Sequence, residues 1–105
     1  MLTDYVKWTD KTAVYPEAFG LGYCALGLAG EAGEVANKVK KYYRGDKNLA
    51  MLRNDVSAEL GDVMYYIARL CRHLDLDLDS VIKENMYKLE RRKAEGTLLG
   101  DGDNR

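Results

Sequence analysis

The sequence predicts an all-α protein, an up-and-down helical bundle of four main helices. Three observations lead there: a single proline, Pro16, in 105 residues; no stretch of sustained apolar/polar alternation; and long segments whose apolar residues recur at helical spacing between short connections. The first helix is expected from Thr3, a residue type that caps helix N-termini, to about Val14. It stops before Tyr15-Pro16 because a residue preceding proline is pushed out of the helical region. A second helix covers roughly Gly22 to Tyr43 and ends at Arg44-Gly45-Asp46, where a basic last turn meets a glycine suited to a C-terminal cap. The third begins between Asn48 and Arg53 and continues to about His73. The fourth takes Asp79 as its N-cap and runs to about Glu95, before Gly96. The remaining GTLLGDGDNR is glycine-rich and polar, either a mobile end or an arm that orders against another surface.

With 105 residues and 47% hydrophobic content, residues 1–105 make one domain with one modest core. Sixteen Lys and Arg stand against seventeen Asp and Glu, so no global basic field draws in polymeric nucleic acid or an anionic membrane, and any phosphate binding must be local. Cys24 and Cys71 sit inside apolar helical patterns without metal-ligand spacing, as buried thiols in a reducing compartment do. MLTDYVKWTDK has no apolar targeting core, and no run approaches the roughly 18 apolar residues of a membrane span. A soluble, cytoplasmic protein is expected.

The second helix poses a problem in GLAGEAGEVANKVKKYY. At about 100° per residue, Cys24, Leu28, Val35, Val39 and Tyr42 form one stripe, and Glu31 lies inside it. Glu34 flanks the stripe one turn on, and Lys38 follows one turn later. A carboxylate in an apolar stripe needs compensation, and a core salt bridge to Lys38 would supply it. The third helix offers another solution. Its stripe of Val56, Leu60, Val63, Met64, Ile67, Leu70 and Cys71 is bordered by Asp55, Glu59, Asp62 and Tyr66. If these helices pack antiparallel, E-x-x-E faces E-x-x-D, and four converging carboxylates call for a hard divalent cation, Mg²⁺ or Mn²⁺. The other alternative is a solvated acidic edge. The glycines and alanines between Gly27 and Ala36 would let another helix come close.

On the fourth helix Asn85, Lys88 and Arg92 align at i, i+3 and i+7 beside Val81, Ile82 and Leu89. They could grip phosphate, while Arg91 and Lys93 read as a solvated basic face near a helix end. His73, the only histidine, reads as a helix-end surface residue.

GLAGEAGEVANKVKK, ELGDVMYYIARL and the N-x-x-K-L of NMYKLERR together resemble the MazG-like nucleotide pyrophosphohydrolases of the all-α NTP pyrophosphatase superfamily. The resemblance runs over almost the whole chain. It implies a hydrolase that converts nucleoside triphosphates to monophosphate and pyrophosphate with Mg²⁺, in nucleotide-pool housecleaning, and that assembles as a homodimer or homotetramer. Carried onto this sequence, it makes Glu31, Glu34, Glu59 and Asp62 the metal ligands. Glu31 or Glu34 would orient or deprotonate the attacking water, and Lys38, Asn85, Lys88 and Arg92 would contact phosphate or sugar. Trp8, with Tyr5 and Tyr15, would stack on the base, the alternative for these N-terminal aromatics being a place in the core. Gly30 stands where some members carry an acid, so the chain resembles the G-E-x-G-E subgroup. Two rivals stay open: a phosphoribosyl-ATP pyrophosphatase, which shares the acids, and a non-catalytic helical interaction module held by interhelical salt bridges.

Overall fold

Helix α1 spans Leu2–Thr9 and tightens into a 3₁₀ turn at Asp10–Thr12 in this computed structural model, which describes residues 2–104. After an irregular stretch and a second 3₁₀ turn, Glu17–Phe19, come α2 (Gly20–Tyr43), α3 (Leu49–His73) and α4 (Leu78–Glu95). Among the described residues there is no strand.

The helix ends follow local chemistry, with three departures from expectation. α1 stops as an α-helix at Thr9, short of Val14. The Thr9 hydroxyl back-bonds to the Val6 carbonyl at 2.6 Å and Thr12 to the Thr9 carbonyl at 3.1 Å, which favours the tighter turn. Thr3 lies inside α1 and donates its hydroxyl to Asp79 Oδ2 at 3.2 Å. Asp77, not Asp79, caps α4: its carboxylate accepts from the Ser80 backbone N–H at 3.1 Å and the Ser80 hydroxyl at 2.8 Å. Starting there places Leu78 in the core. Asn48 settles the open start of α3 by accepting from Met51 N–H at 2.9 Å.

α2 closes at Gly45, whose φ of 90° suits a residue without a Cβ; Asp46 N–H then reaches the Lys41 carbonyl at 3.0 Å. The short Arg44–Asn48 connection folds α3 back along α2, and this hairpin is the most extensive helix–helix contact in the chain. α1 packs on α3, and α4 on α1. The buried core is small: Val6, Ala68, Cys71 and Leu78, with Leu2, Tyr5, Met64 and Ile67 packed around it. Cys24 is fully buried in α2, and both thiols are free.

The α2 stripe is partly or fully buried as its spacing predicts, Glu31 included. The α4 stripe is not. Val81, Ile82 and Leu89 are exposed, as are Met86 and Tyr87, because α4 leans on α1 and leaves its apolar side open. The radius of gyration, 16.7 Å, exceeds the roughly 13 Å of a compact chain this long.

Candidate active site

One α2 face and one α3 face bring acids together. Glu31, Glu59 and Asp62 each offer an oxygen, all within 4.8 Å of one another; Glu31 and Glu59 are half-buried and Asp62 is exposed. Gly27 allows this approach, since a Cβ there would lie 2.5 Å from the Tyr66 ring of α3. Gly30 and Gly33 meet open space instead. Glu34 is exposed on the flank, outside the three-acid group but near enough to act on Glu31.

The electrostatics show a cluster without a counter-charge. A hydrogen bond with Glu59, then burial, then repulsion from Asp62, Glu59 and Glu34 pushes the Glu31 carboxyl up to about 6. Among the described residues, no ion pair includes Glu31, Glu34, Glu59 or Asp62. The salt bridge to Lys38 therefore does not form. Lys38 is half-buried and its charge acts on Asp55, whose carboxyl the bonded Lys47 ammonium already holds below its usual value.

Glu31 and Asp62 open into a cavity of about 410 Å³ whose other walls are aromatic: Trp8, Tyr15, Tyr23 and Tyr66 among them. Trp8, half-exposed, stands with its ring centroid 6.2 Å from that of Tyr5, near parallel. Burial, and then Tyr65 and Asp62, push the Tyr5 phenol up. Across the mouth, the Thr12 and Tyr65 hydroxyls are hydrogen-bonded at 2.9 Å, with Tyr65 as donor because the Thr12 proton goes to the Thr9 carbonyl, and this ties the first 3₁₀ turn to α3.

The cations of α4 lie elsewhere in the single chain. Asn85 and Lys88 line a cavity of about 460 Å³ with Val81, Glu84, Tyr87 and Arg91, and it shares no lining residue with the acidic one. Arg92 is buried under the C-terminal segment. Its Nη2 donates to the Asp103 carbonyl at 2.7 Å and lies 3.4 Å from the Asp103 carboxylate, which also accepts from Lys88 Nζ at 3.3 Å. Among the described residues, Arg92 Nε is buried without an acceptor. Lys88 and Arg92 together hold the Asp103 carboxyl below its usual value. Of the two fates expected for the tail, it takes that of an arm, turned back onto α4 through Gly96 at φ 73°.

The family model of the MazG nucleotide pyrophosphohydrolase domain matches residues 22–97, a span that holds both acidic pairs and the α4 cations. The chain belongs to the MazG nucleotide pyrophosphohydrolase family. It is also similar to the Gene 37 protein of Mycobacterium phage L5, 50% identical over 103 residues that cover 90% of each chain. No solved structure matches. Membership makes the activity a pyrophosphohydrolase-type hydrolysis of nucleotides, chemistry that in MazG enzymes generally depends on a divalent metal.

Within the MazG domain, spacing arguments missed a second arrangement behind the aromatic wall. Arg69, 6% exposed, donates from Nε to Tyr15 Oη at 2.8 Å and from Nη1 to Thr9 Oγ1 at 3.2 Å, and pairs with Asp10. His73 is half-buried and lies 2.7 Å from the same Tyr15 oxygen, which corrects its expected place on the surface. A signal existed: Glu59, Asp62, Tyr66, Arg69 and His73 continue one line at alternating steps of three and four.

Proposed function

We propose that this MazG domain hydrolyses nucleoside triphosphates, ribo- or deoxyribo-, to nucleoside monophosphate and pyrophosphate with Mg²⁺, and serves nucleotide-pool housecleaning in the cytoplasm. The observation that carries this reading is the uncompensated acid cluster of Glu31, Glu59 and Asp62 opening into an aromatic-walled cavity. The donor set suits a hard cation: all oxygens, with Glu31 pushed up by its hydrogen bond with Glu59, by burial and by the neighbouring carboxylates. Mg²⁺, or Mn²⁺ in its place, held by Glu31, Glu34, Glu59 and Asp62, supplies charge stabilisation at the phosphoryl oxygens when bound.

The chain's own groups divide the remaining work. Glu31 or Glu34 orients the attacking water and takes its proton; Glu34, exposed and outside the three-acid group, has the access this requires. Trp8 stacks on the base from within the cavity that holds Glu31 and Asp62. Lys38, Asn85, Lys88 and Arg92 contact phosphate or sugar, with Asp103 yielding to the substrate's phosphate at the last two.

Association completes this picture. The open apolar side of α4, the exposed Leu21 and Leu26 of α2 and the extended outline support a homodimer or homotetramer in which α4 of one copy brings its cations to the acids of another. The substrate is the small nucleotide, not polymeric nucleic acid or a membrane: the net charge is −1, and among the described residues no helix is long and apolar enough to cross a bilayer.

The test is pyrophosphate release from a panel of standard and modified NTPs and dNTPs in Mg²⁺, Mn²⁺ and EDTA, beside Glu34→Gln. Metal-dependent release lost in the folded variant is expected. Release from phosphoribosyl-ATP alone would replace the substrate, and a folded protein that neither binds metal nor releases pyrophosphate would replace the reading with an interaction module.

A further inference from the structure

We propose that Arg69 and His73 are positioning residues which fix the Tyr15 ring, stacked with Tyr23, as the wall that sets the base selectivity of the acidic cavity. This rests on the hydrolase reading above and names the part of the site that sorts its substrates.

Tyr15 lies in the irregular stretch between the two 3₁₀ turns, where no helix holds it. Its ring nevertheless lines two cavities: the acidic one, and a second of about 430 Å³ that also touches Asp10, Arg69, Arg72 and His73. The ring is a partition between them. What holds it is the phenol oxygen, which has one proton to donate and two lone pairs. Arg69 Nε donates to it at 2.8 Å and the Cys24 thiol at 3.2 Å, so its own proton goes to His73 Nε2 at 2.7 Å. The oxygen is saturated, and this count assigns the His73 proton to Nδ1.

The supports are themselves anchored. Arg69 is more than nine-tenths buried and bonded to Thr9 and Asp10. His73 reaches Tyr15 over Gly20, where a Cβ would fall 2.2 Å from His73 Cε1. On the cavity side, Tyr15 and Tyr23 stack with centroids 4.5 Å apart and planes 22° apart. Because its oxygen is fully engaged, Tyr15 offers a ligand no hydrogen bond, only carbon surface held in one place. Such a wall discriminates by width and stacking, purine against pyrimidine, and not by reading base edges.

The experiment compares Tyr15→Phe, His73→Ala and His73→Gln with wild type, taking kcat and KM for one purine and one pyrimidine substrate. In Tyr15→Phe and His73→Ala we expect the purine-to-pyrimidine ratio of kcat/KM to move roughly two- to tenfold, the scale of one aromatic contact, and in His73→Ala, at a residue that does not line the acidic cavity, kcat to hold within about twofold. His73→Gln, which keeps an acceptor, restores the wild-type ratio. A purely structural role would lower the melting temperature and leave the ratio alone, and that result overturns the proposal. A measurement on unaltered protein stands beside these whatever the variants' stability: a saturating nucleoside monophosphate shifts the Tyr15 and Tyr23 ring protons by ring current. Unmoved rings overturn the proposal even if hydrolysis is normal. Wild type that hydrolyses no nucleotide overturns instead the reading beneath it.

Discussion

Replacing Glu31 by Gln should make the metal-free protein more stable at pH 8, although it alters a half-buried group. The neutral amide keeps the capacity to bond Glu59 and removes one charge from the cluster. Glu31 titrates at about 6 in the fold against 4.5 as the ordinary value, so the folded state holds its proton more tightly than the unfolded state. Between those values the folded chain binds more protons, and stability therefore falls as pH rises from 4.5 to 6. The full shift is worth about 2 kcal/mol, and solvent screening at the open cavity reduces it to about 1 kcal/mol. For a domain of this size that corresponds to roughly 4–8 °C in melting temperature. The assay is thermal unfolding at one fixed protein concentration, in EDTA, at intervals from pH 4.5 to 8, then at pH 8 with Mg²⁺. Wild type should lose stability relative to Glu31→Gln across that window, and Mg²⁺ should reverse the order by stabilising wild type alone. A variant less stable than wild type in EDTA at pH 8, or a constant difference across the window, would refute the picture of an uncompensated cluster.

Three further outcomes are expected. Glu59→Gln and Lys88→Ala, each lowering kcat/KM by about 100-fold or more alone, should regain activity when unfolded together and refolded as mixed oligomers; no recovery in verified heteromers would place both groups in one copy's site. Asp103→Asn should tighten pyrophosphate binding a few-fold by calorimetry, since the tail carboxylate now competes for Lys88 and Arg92. Hydrogen bonds from Arg72 and then Arg69 pull the Asp10 carboxyl down to about 2. Its contribution is present above 3.8 and lost as pH falls toward 2, so Asp10→Asn should flatten the acid limb of the stability curve in that window, by less than about 1 kcal/mol given its exposure.

Helical periodicity was enough to find the α2 stripe and, apart from the exposed Leu60, the α3 stripe, and it set Glu31 inside one and Glu59 and Asp62 at the border of the other, because a long amphipathic helix repeats its signal over six turns or more. Gly45 ended α2 where expected for the same local reason: an αL residue without a Cβ is a property of five consecutive residues. Periodicity failed where tertiary contact decided. Asp77 outcompeted Asp79 because the core takes Leu78, and two threonine back-bonds with the pull of Arg69 ended α1 early. The α4 stripe was correctly read as apolar, but amphipathicity states that a face wants covering and is silent on whether the cover comes from the same chain. Arg69 escaped notice because a lone arginine on a helix is ordinarily solvated; only its line with Tyr66 and His73 marked it, and that line gains meaning once Tyr15 is seen across from it.

α4 lying mainly against α1, its apolar side open and its Asn85 and Lys88 lining a cavity apart from the acidic one, would have a consequence for regulation by abundance if the proposed association joins the two. A site assembled between copies rises in proportion to the square of chain concentration while monomer predominates, then linearly once association saturates. Turnover would stay near zero at low expression and switch on over a narrow range of dosage. A chain of this kind would need no separate effector to keep a nucleotide-destroying activity silent until enough copies had accumulated.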